Sequence, residues 1–356
     1  MKKILFINPF GIGDVLFTMA LVEAVRCAEP EAEIAFLCNE RTAELVRLNQ
    51  SIDHTFVFHR DHFRGLWKNK KTQFFREFAG FWQRIRVEKY DTLFDLSLGR
   101  EFSFFSMLVG IPRRIGLDYK NRGIFLTAKK KILGYEGEPV AATQLSLLGL
   151  AGFETPKNNL VPTLAISEQV RNEMKQSFRR QGVAEGEKVL GVAPGGGRSW
   201  GKDAIYKQWD PGRFAQTAKA WISQGRRKTA FFGDAEESDL VIEAASATPA
   251  KPLVFIDLSM EKLCAALLSC DILLCNDSGL LHLANALGVK TVSIFGPVDE
   301  KVYGPFWKEA PHEVITENVP CRPCYSRFHF PPCPHERRCL EALGVEKVVS
   351  AIEKMA

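Results

Sequence analysis

The sequence lacks two features that would assign it quickly to a class. No stretch reaches the roughly 18 to 20 uninterrupted apolar residues of a membrane-spanning helix, because Asp271 breaks the best candidate. The net charge of +5 is too small to indicate nucleic acid as the partner. Near the start, only residues 4–7 form an apolar run before Gly11 and Gly13, so we expect no export signal.

Two nucleotide-binding motifs are present only in part. The turn "NPFGIGDVLF" has Gly11 and Gly13 of a dinucleotide fingerprint, but Leu16 stands where the third glycine belongs, which argues against a dehydrogenase. The stretch "GGGRSWGKD" resembles a P-loop up to Asp203, which replaces the Ser or Thr that ligates magnesium. We therefore exclude an ordinary P-loop ATPase.

The chain has the composition of a globular protein and the length of two domains. It has 356 residues, of which 46% are hydrophobic and 25% charged. Five of its nine cysteines lie in apolar segments, which suits a reducing cytoplasm: Cys27, Cys38, Cys264, Cys270 and Cys275.

Strand-like and helix-like segments alternate twice along the chain. The first series begins at "KKILFIN" and the second at "EKVLGVAP", with a Pro- and Asn-rich linker at 152–167 between them. Such alternation predicts an α/β protein with two doubly wound, Rossmann-like domains, 1–160 and 161–356. Ligands of these sheets bind beyond the carboxyl ends of the strands, so we expect the site in a cleft between the domains.

The stretch "LLCNDSGLLHLANALG" predicts a strand, a polar turn and a helix. Asp277 or Ser278 can cap the helix, and Gly279 allows a ligand to approach the backbone. The amides of the first turn would then bind an anion, with His282 on the same helix face. The alternative is a well-capped helix with a core histidine.

A second glycine-rich turn, "APGGGRSWGKDAIYKQW", follows a predicted strand. Arg198, Lys202 and Lys207 suit a diphosphate, and the next helix is expected to begin only at Asp210-Pro211. The alternative is a flexible surface loop. At the amino-terminal turn, Asp14 is either a helix N-terminal charge or a general base.

Three segments together resemble the family 9 glycosyltransferases, whose best-known members are the lipopolysaccharide heptosyltransferases. They are "GIGDVLFTMALVEAVR", the Pro194-Gly195 turn with Lys207-x-Trp209, and "NDSGLLHLANALGVKTVSIFGPVDEKVYGPF". The likeness spans nearly the whole chain in the expected order. It implies a GT-B fold, with an acceptor-side domain at 1–160 and a nucleotide-sugar domain at 161–356.

The resemblance also implies a reaction. The sugar, typically heptose from ADP-heptose, would move with inversion to a lipid-linked or oligosaccharide acceptor of the lipopolysaccharide core. Asp14 matches the proposed base and Lys207 the lysine that contacts the donor. Glu237 falls where an acid can bind the ribose, although Glu236 is an equal alternative. The nucleotide-sugar turn matches Asp277, Ser278, Gly279 and His282.

This resemblance implies catalysis without a metal cofactor. The amides of 278–282, together with Lys207 and Ser199, would stabilise the departing diphosphate. No Asp-x-Asp triplet of the kind that carries magnesium in other glycosyltransferases occurs in the sequence. The loop between Gly195 and Lys207 is longer than the common form, so the sugar itself is left open.

Residues 60–89 are both basic and aromatic. They hold nine Lys or Arg against three Asp or Glu, with seven Phe or Trp interleaved. Such a stretch can rest on an anionic membrane or hold a phosphorylated glycolipid, which would place a cytoplasmic enzyme at the inner membrane. The alternative is an amphipathic helix whose aromatic side packs on the sheet.

The segment "CRPCYSRFHFPPCPHERRC" contains Cys321, Cys324, Cys333 and Cys339. Four thiolates suit a structural zinc ion, but the intervals are irregular, so reduced structural cysteines, disulfides or a redox role also remain open.

Two other functions compete with glycosyl transfer. A nucleotide-sugar epimerase would bind the same donor without an acceptor, and a non-catalytic protein would only bind it. Asp14 argues against the second, because a binding protein needs no base.

Overall fold

The computed structural model describes residues 1–156 and 160–356, apart from the side chains of Arg198, Ser199 and Lys202. The chain divides into two compact units, Met1–Leu164 and Ala165–Ala356. Each unit contains one six-stranded sheet and its own apolar core.

The sheet of the first unit is parallel throughout, in the order β3-β2-β1-β4-β5-β6. The central strand β1 is fully buried from Ile4 to Ile7. Such continuous apolar strands are typical of sheets covered by helices on both faces. The strands are β1 Lys3–Ile7, β2 Glu33–Asn39, β3 His54–Phe58, β4 Thr92–Asp95, β5 Arg113–Tyr119 and β6 Ala128–Ile132.

In the described residues of this unit, helices α1 to α5 lie between the strands, and α6 and α7 follow β6. Helix α1 is buried from residue 15 to residue 25, and nearly all side chains in this stretch are apolar. The helices are α1 Ile12–Ala28, α2 Ala43–Leu48, α3 Arg60–Asn69, α4 Lys71–Glu88, α5 Glu101–Leu108, α6 Val140–Leu145 and α7 Leu147–Ala151, with a 3₁₀ turn at Gly123–Phe125.

The second unit repeats the same parallel plan, in the order β12-β11-β10-β7-β8-β9. Its strands are β7 Lys188–Ala193, β8 Arg227–Gly233, β9 Leu253–Ile256, β10 Ile272–Asn276, β11 Lys290–Phe295 and β12 His312–Thr316. Its helices are α8 Glu168–Arg180, α9 Pro211–Ile222, α10 Ser238–Ser246, α11 Met260–Leu267, α12 Gly279–Ala286, α13 Glu300–Tyr303, α14 Arg338–Glu341 and α15 Val345–Met355, with 3₁₀ helices at Arg198–Lys207 and Ala235–Glu237.

Both sheets reverse their strand order once, between β1 and β4 in the first unit and between β7 and β10 in the second. Ligands of doubly wound sheets bind at this reversal, beyond the carboxyl ends of the strands. The segments that follow these ends are 8–14 and 96–100 in the first unit, and 194–197 and 277–278 in the second.

The topology confirms the predicted α/β class with two Rossmann-like, doubly wound sheets. The delayed helix start is also confirmed, because α9 begins at Pro211 and the Asp210 carboxylate accepts a hydrogen bond from the Arg213 amide at 3.1 Å. In the part of the chain that the structure describes, none of the helices combines the length and the apolarity required to cross a bilayer.

Candidate functional site

A buried ion pair lies at the carboxyl end of β10. The Asp277 carboxylate is 2.8 Å from the Lys207 ammonium, and the two side chains are only 5% and 4% exposed. Burial raises the pKa of the Asp277 carboxyl, and the nearby lysine offsets part of that rise. Asp277 thus fixes Lys207 beside the polar turn that precedes α12.

The capping role predicted for Asp277 or Ser278 is wrong. Ser278 occupies the N-cap position of α12 with extended backbone (φ −151°), but its side chain makes no capping hydrogen bond. The Asp277 carboxylate faces Lys207 instead. Helix α12 begins at Gly279 without a side-chain cap.

His282 lies one turn into α12 and is buried, with 4% exposure. Burial lowers the pKa of its imidazole to about 3, and the positive charge of Lys207 contributes to that shift. The ring is therefore neutral at physiological pH, so it can form hydrogen bonds but supplies no positive charge.

The turn after β7 contains three successive glycines, and the constraint on each is different. A Cβ on Gly195 would lie 2.2 Å from the Glu237 carboxyl group, and one on Gly196 would lie 2.6 Å from the backbone oxygen of Ala204. Gly197 has φ +91°, in the left-handed region that side chains disfavour. The turn thus allows other groups to approach its backbone closely.

Glu237 is the acid that reaches this turn. Its carboxylate accepts a hydrogen bond from the Gly197 amide at 3.1 Å. Burial raises the pKa of Glu237 and Asp234 adds to the rise, while the bonds from the Gly197 and Gly196 amides lower it. Glu236 is exposed to solvent. The two acids were equal alternatives in the sequence, and only Glu237 belongs to this cluster.

Asn276, the last residue of β10, was not predicted as a site residue. Its amide donates to the carbonyl oxygens of Pro194 at 2.7 Å and Gly195 at 3.1 Å, and its oxygen accepts from the Trp209 amide at 3.1 Å. It therefore ties the glycine turn, β10 and the segment after Lys207 together. The signal available in the sequence was an amide residue at the end of the apolar run 272–275.

Aromatic rings cover the other side of Lys207. Its ammonium lies 4.4 Å from the centroid of the Trp200 ring. Tyr325 and Phe330 each pack on Trp200 at 5.0 Å. The Arg337 guanidinium donates to the Ile205 carbonyl at 2.8 Å. The cysteine-rich segment thus braces the 3₁₀ helix that carries Lys207. The side chain of Ser199, predicted at this site, lies outside the described residues.

The four cysteines of that segment line one small pocket together with His335: Cys321, Cys324, Cys333 and Cys339. None of them forms a disulfide. Burial, together with the neighbouring thiols, raises the pKa of Cys339 to about 11. Across residues 1–156 and 160–356, the structure contains no group of three or more His, Cys, Asp or Glu placed to hold a metal ion. The zinc site therefore stays a prediction.

Asp14 lies in the first turn of α1, at the carboxyl end of β1, and is half-buried. Its position is held through the backbone, because the Asn8 amide donates to the Asp14 carbonyl at 3.0 Å and to the Thr18 hydroxyl at 2.7 Å. The glycines of this turn do not adopt left-handed backbone: Gly11 has φ −79° and Gly13 lies within α1.

Comparison with known proteins agrees with this geometry. The family model described as "Glycosyltransferase family 9 (heptosyltransferase)" matches residues 78–330. The lipooligosaccharide heptosyltransferase 2 of Campylobacter jejuni is 29% identical over 49% of the chain, and the match spans about half of that relative's length (53%).

Two solved structures share the fold. The family 9 glycosyltransferase of Veillonella parvula has a TM-score of 0.83 at 22% identity, covering 99% of the chain and 97% of that protein. The ADP-heptose heptosyltransferase II of E. coli has a TM-score of 0.77 at 19% identity, covering 100% and 98%. The predicted GT-B class is thereby confirmed, and the chain belongs to glycosyltransferase family 9.

Proposed function

We propose that the protein is an inverting, metal-independent heptosyltransferase that transfers heptose from ADP-heptose to a lipopolysaccharide-core or related glycan. The observation that carries this proposal is the buried Lys207–Asp277 pair beside the glycine turn at the strand reversal of the second unit. Family membership supports transfer over the epimerase and binding-protein alternatives. The similar E. coli enzyme, an ADP-heptose transferase, supports the donor.

The second unit would bind the donor. The backbone amides that begin α12 at Gly279, the hydroxyl of Ser278 and the ammonium of Lys207 are suited to the negative charge that develops on the departing diphosphate. Ser199 would add a further hydroxyl. The neutral imidazole of His282 would hydrogen-bond without adding charge. Glu237, whose carboxylate accepts a hydrogen bond from the Gly197 amide, would also accept hydrogen bonds from ribose hydroxyls.

Asp14 would act as the general base. Its carboxylate takes the proton of an acceptor hydroxyl while that oxygen attacks the anomeric carbon. The bond from this carbon to the diphosphate oxygen breaks as the new glycosidic bond forms on the opposite face, which inverts the configuration. The first unit, which carries Asp14, would provide the acceptor side.

Catalysis would not require a metal, because the lysine and the helix amides supply the charge stabilisation. A zinc ion at the four C-terminal cysteines would be structural, since those thiols lie among groups that brace the 3₁₀ helix. Metal analysis of the purified protein tests for the structural zinc ion. Turnover in the presence of a chelator tests whether catalysis requires a metal.

The enzyme would work at the cytoplasmic face of the inner membrane, where a lipid-linked acceptor is accessible to a peripheral protein. The basic residues of segment 60–89 support this placement.

Two measurements test the proposed function. Thermal shift without divalent metal should show stronger stabilisation by ADP and ADP-heptose than by the UDP, GDP or CDP counterparts. Asp14→Asn should lower turnover by roughly 10²- to 10⁴-fold while leaving the ADP shift intact. The matched control Glu44→Gln removes an acid from the first turn of α2 in the same unit. Turnover that survives Asp14→Asn would contradict the mechanism.

A further inference from the structure

Helices α3 and α4 form a hairpin joined at Lys70, and most of its aromatic side chains face inward. Five of the seven aromatic residues in segment 60–89 are buried or half-buried: Phe63, Phe74, Phe78, Phe81 and Trp82. They pack together and on Phe58 of β3. For these five residues the packing interpretation is correct.

The other two aromatic residues are exposed and adjacent. Trp67 is 49% exposed and Phe75 is 59% exposed, and their ring centroids lie 5.9 Å apart. Both rings contact Phe74, at 5.1 and 5.5 Å. Because Phe74 packs in turn on Phe78, the exposed pair is supported by the interior of the hairpin. Large aromatic side chains held together at a surface are typical of interaction sites.

Cations flank this pair in the sequence, and the first of them, Arg64, lies 3.9 Å from the Asp61 carboxylate. Residues 64–76 contain five Lys or Arg and no Asp or Glu, and all five are exposed: Arg64, Lys68, Lys70, Lys71 and Arg76. The Lys71 ammonium lies 5.8 Å from the Trp67 ring centroid. The nearest acid after the stretch, Glu77, is engaged by the His62 ring at 2.7 Å. We call Trp67, Phe75 and these five cations the hairpin tip.

We infer that the hairpin tip docks on the surface of an anionic lipid bilayer. Tryptophan is enriched at membrane–water interfaces, where its ring lies at the headgroup level. Clustered lysines and arginines bind anionic headgroups, each adding to the attraction. An amphipathic surface of this composition lies on a bilayer without crossing it. The tip thus meets the two requirements of peripheral binding, an apolar insertion and a cationic rim.

A second copy of the chain is a poor occupant for the same surface. A symmetric contact places the same patch on both subunits, so the five cations of each tip would face those of the other. Such like-charge contacts oppose association.

The biological use of this docking rests on the proposed function, because only a lipid-linked acceptor requires the enzyme to stay at the membrane. The binding itself does not depend on the reaction, so the two can be tested separately.

The aromatic pair is tested by co-sedimentation of the full-length protein with phosphatidylcholine vesicles, with and without phosphatidylglycerol. We expect binding only to the anionic vesicles. The double variant Trp67→Ser/Phe75→Ser should bind them at least roughly tenfold more weakly, because two apolar side chains no longer insert. The matched control Ile242→Ser/Val254→Ser removes two exposed apolar side chains of the other unit and should bind like the wild type.

The cationic rim is tested in the same assay. Lys68→Gln/Lys70→Gln/Lys71→Gln should lower binding by roughly 100-fold at low salt. Lys175→Gln/Arg179→Gln/Arg180→Gln removes the same charge from exposed positions of α8 and should have a much smaller effect. Added salt should weaken wild-type binding.

Three results would overturn the inference: equal binding to neutral and anionic vesicles, tip variants that bind like their controls, or a self-association in ultracentrifugation that the aromatic variant abolishes. Transfer to a delipidated, water-soluble acceptor separates this inference from the proposed function. The aromatic variant should retain that turnover. A wild type that binds anionic vesicles but transfers nothing would contradict the function and leave the docking intact.

Discussion

Among individual residues, Lys207 contacts two separate parts of the candidate site, although it is nearly buried. Its charge is compensated by Asp277 at 2.8 Å, and its ammonium also lies over the Trp200 ring at 4.4 Å from the centroid. Breaking a buried ion pair is destabilising chiefly because the remaining charge has no partner. Stability therefore depends on this residue, and under the proposed function donor binding depends on it as well, for a different reason.

Lys207→Met should lower the free energy of unfolding by about 3 kcal/mol or more, because Asp277 is left as an isolated buried carboxylate. Denaturant titration with and without ADP measures both effects. The double variant Lys207→Met/Asp277→Leu should recover most of the stability, because no charge is then buried, but it should not recover the ADP shift. A double variant that binds ADP like the wild type would show that the lysine only balances the aspartate.

The sequence predicted which residues belong to the site only where a motif specified them. Lys207, Asp277 and His282 were found from sequence and do lie together in the second unit. The choice of Glu237 over Glu236 and the role of Asn276 required tertiary contacts, because both depend on the path of the glycine turn. The cap failed because a buried lysine competed for the Asp277 carboxylate.

Among the elements, the glycine turn and the following 3₁₀ helix lie in close backbone contact. A Cβ on Gly195 would first meet the carboxyl group of Glu237, at the end of a flexible side chain, whereas one on Gly196 would first meet the backbone oxygen of Ala204 in the 3₁₀ helix. Alanine at these two positions therefore makes a matched comparison: a side chain must move in one variant and backbone in the other.

Gly196→Ala should destabilise the protein by about 1 to 3 kcal/mol and weaken ADP binding, because the 3₁₀ helix that carries Lys207 must shift. Gly195→Ala should change stability little, because the Glu237 side chain can move away from the new methyl group. The ADP affinity of the Gly195→Ala variant should then match that of the Glu237→Ala variant. Thermal unfolding and ADP titration of the three variants check this order. Equal losses of stability and of ADP affinity in the two glycine variants would mean that the whole turn shifts in both.

Among the strands, β5, β6 and β12 were not predicted from the sequence, and helix α8 was also missed. Strand β6, "AKKKI", alternates between half-buried and exposed residues, and β12 is mostly half-buried. End strands have one paired edge and less buried surface, so their sequences do not need the apolar run that identified β1 and β10. The central strands were predictable because their burial is complete.

At the scale of the whole molecule, the same strand order occurs in both units, so each has a strand reversal where a ligand can bind. The polar groups at the two reversals differ. The second unit has the buried ion pair. The first has Asp95 at the end of β4, where burial, opposed by hydrogen bonds from Ser97, raises the pKa of the carboxyl to about 6.

This pKa gives the first unit a pH dependence with a definite sign. The folded state holds the Asp95 proton more tightly than the unfolded state, whose aspartate has a pKa of about 3.9. The protonated Asp95 carboxyl therefore contributes its full stabilisation of the folded state below about pH 4, and this contribution is lost as the pH rises to about 6. Asp95→Asn should raise the stability at pH 8 by an amount on the order of 2 kcal/mol, and the gain should vanish near pH 4.

Asp118 provides the control of opposite sign in the same unit. Burial raises its pKa, but the Gly123 amide and Lys129, at 3.0 Å, lower it below the usual value. Asp118→Asn should thus reduce stability at pH 8 and less so at low pH. Hydrogen exchange of the full-length protein, followed in the strands of each unit, should place both effects in residues 1–164. If the gain of stability in Asp95→Asn persisted unchanged at pH 4, packing and not ionisation would be its cause.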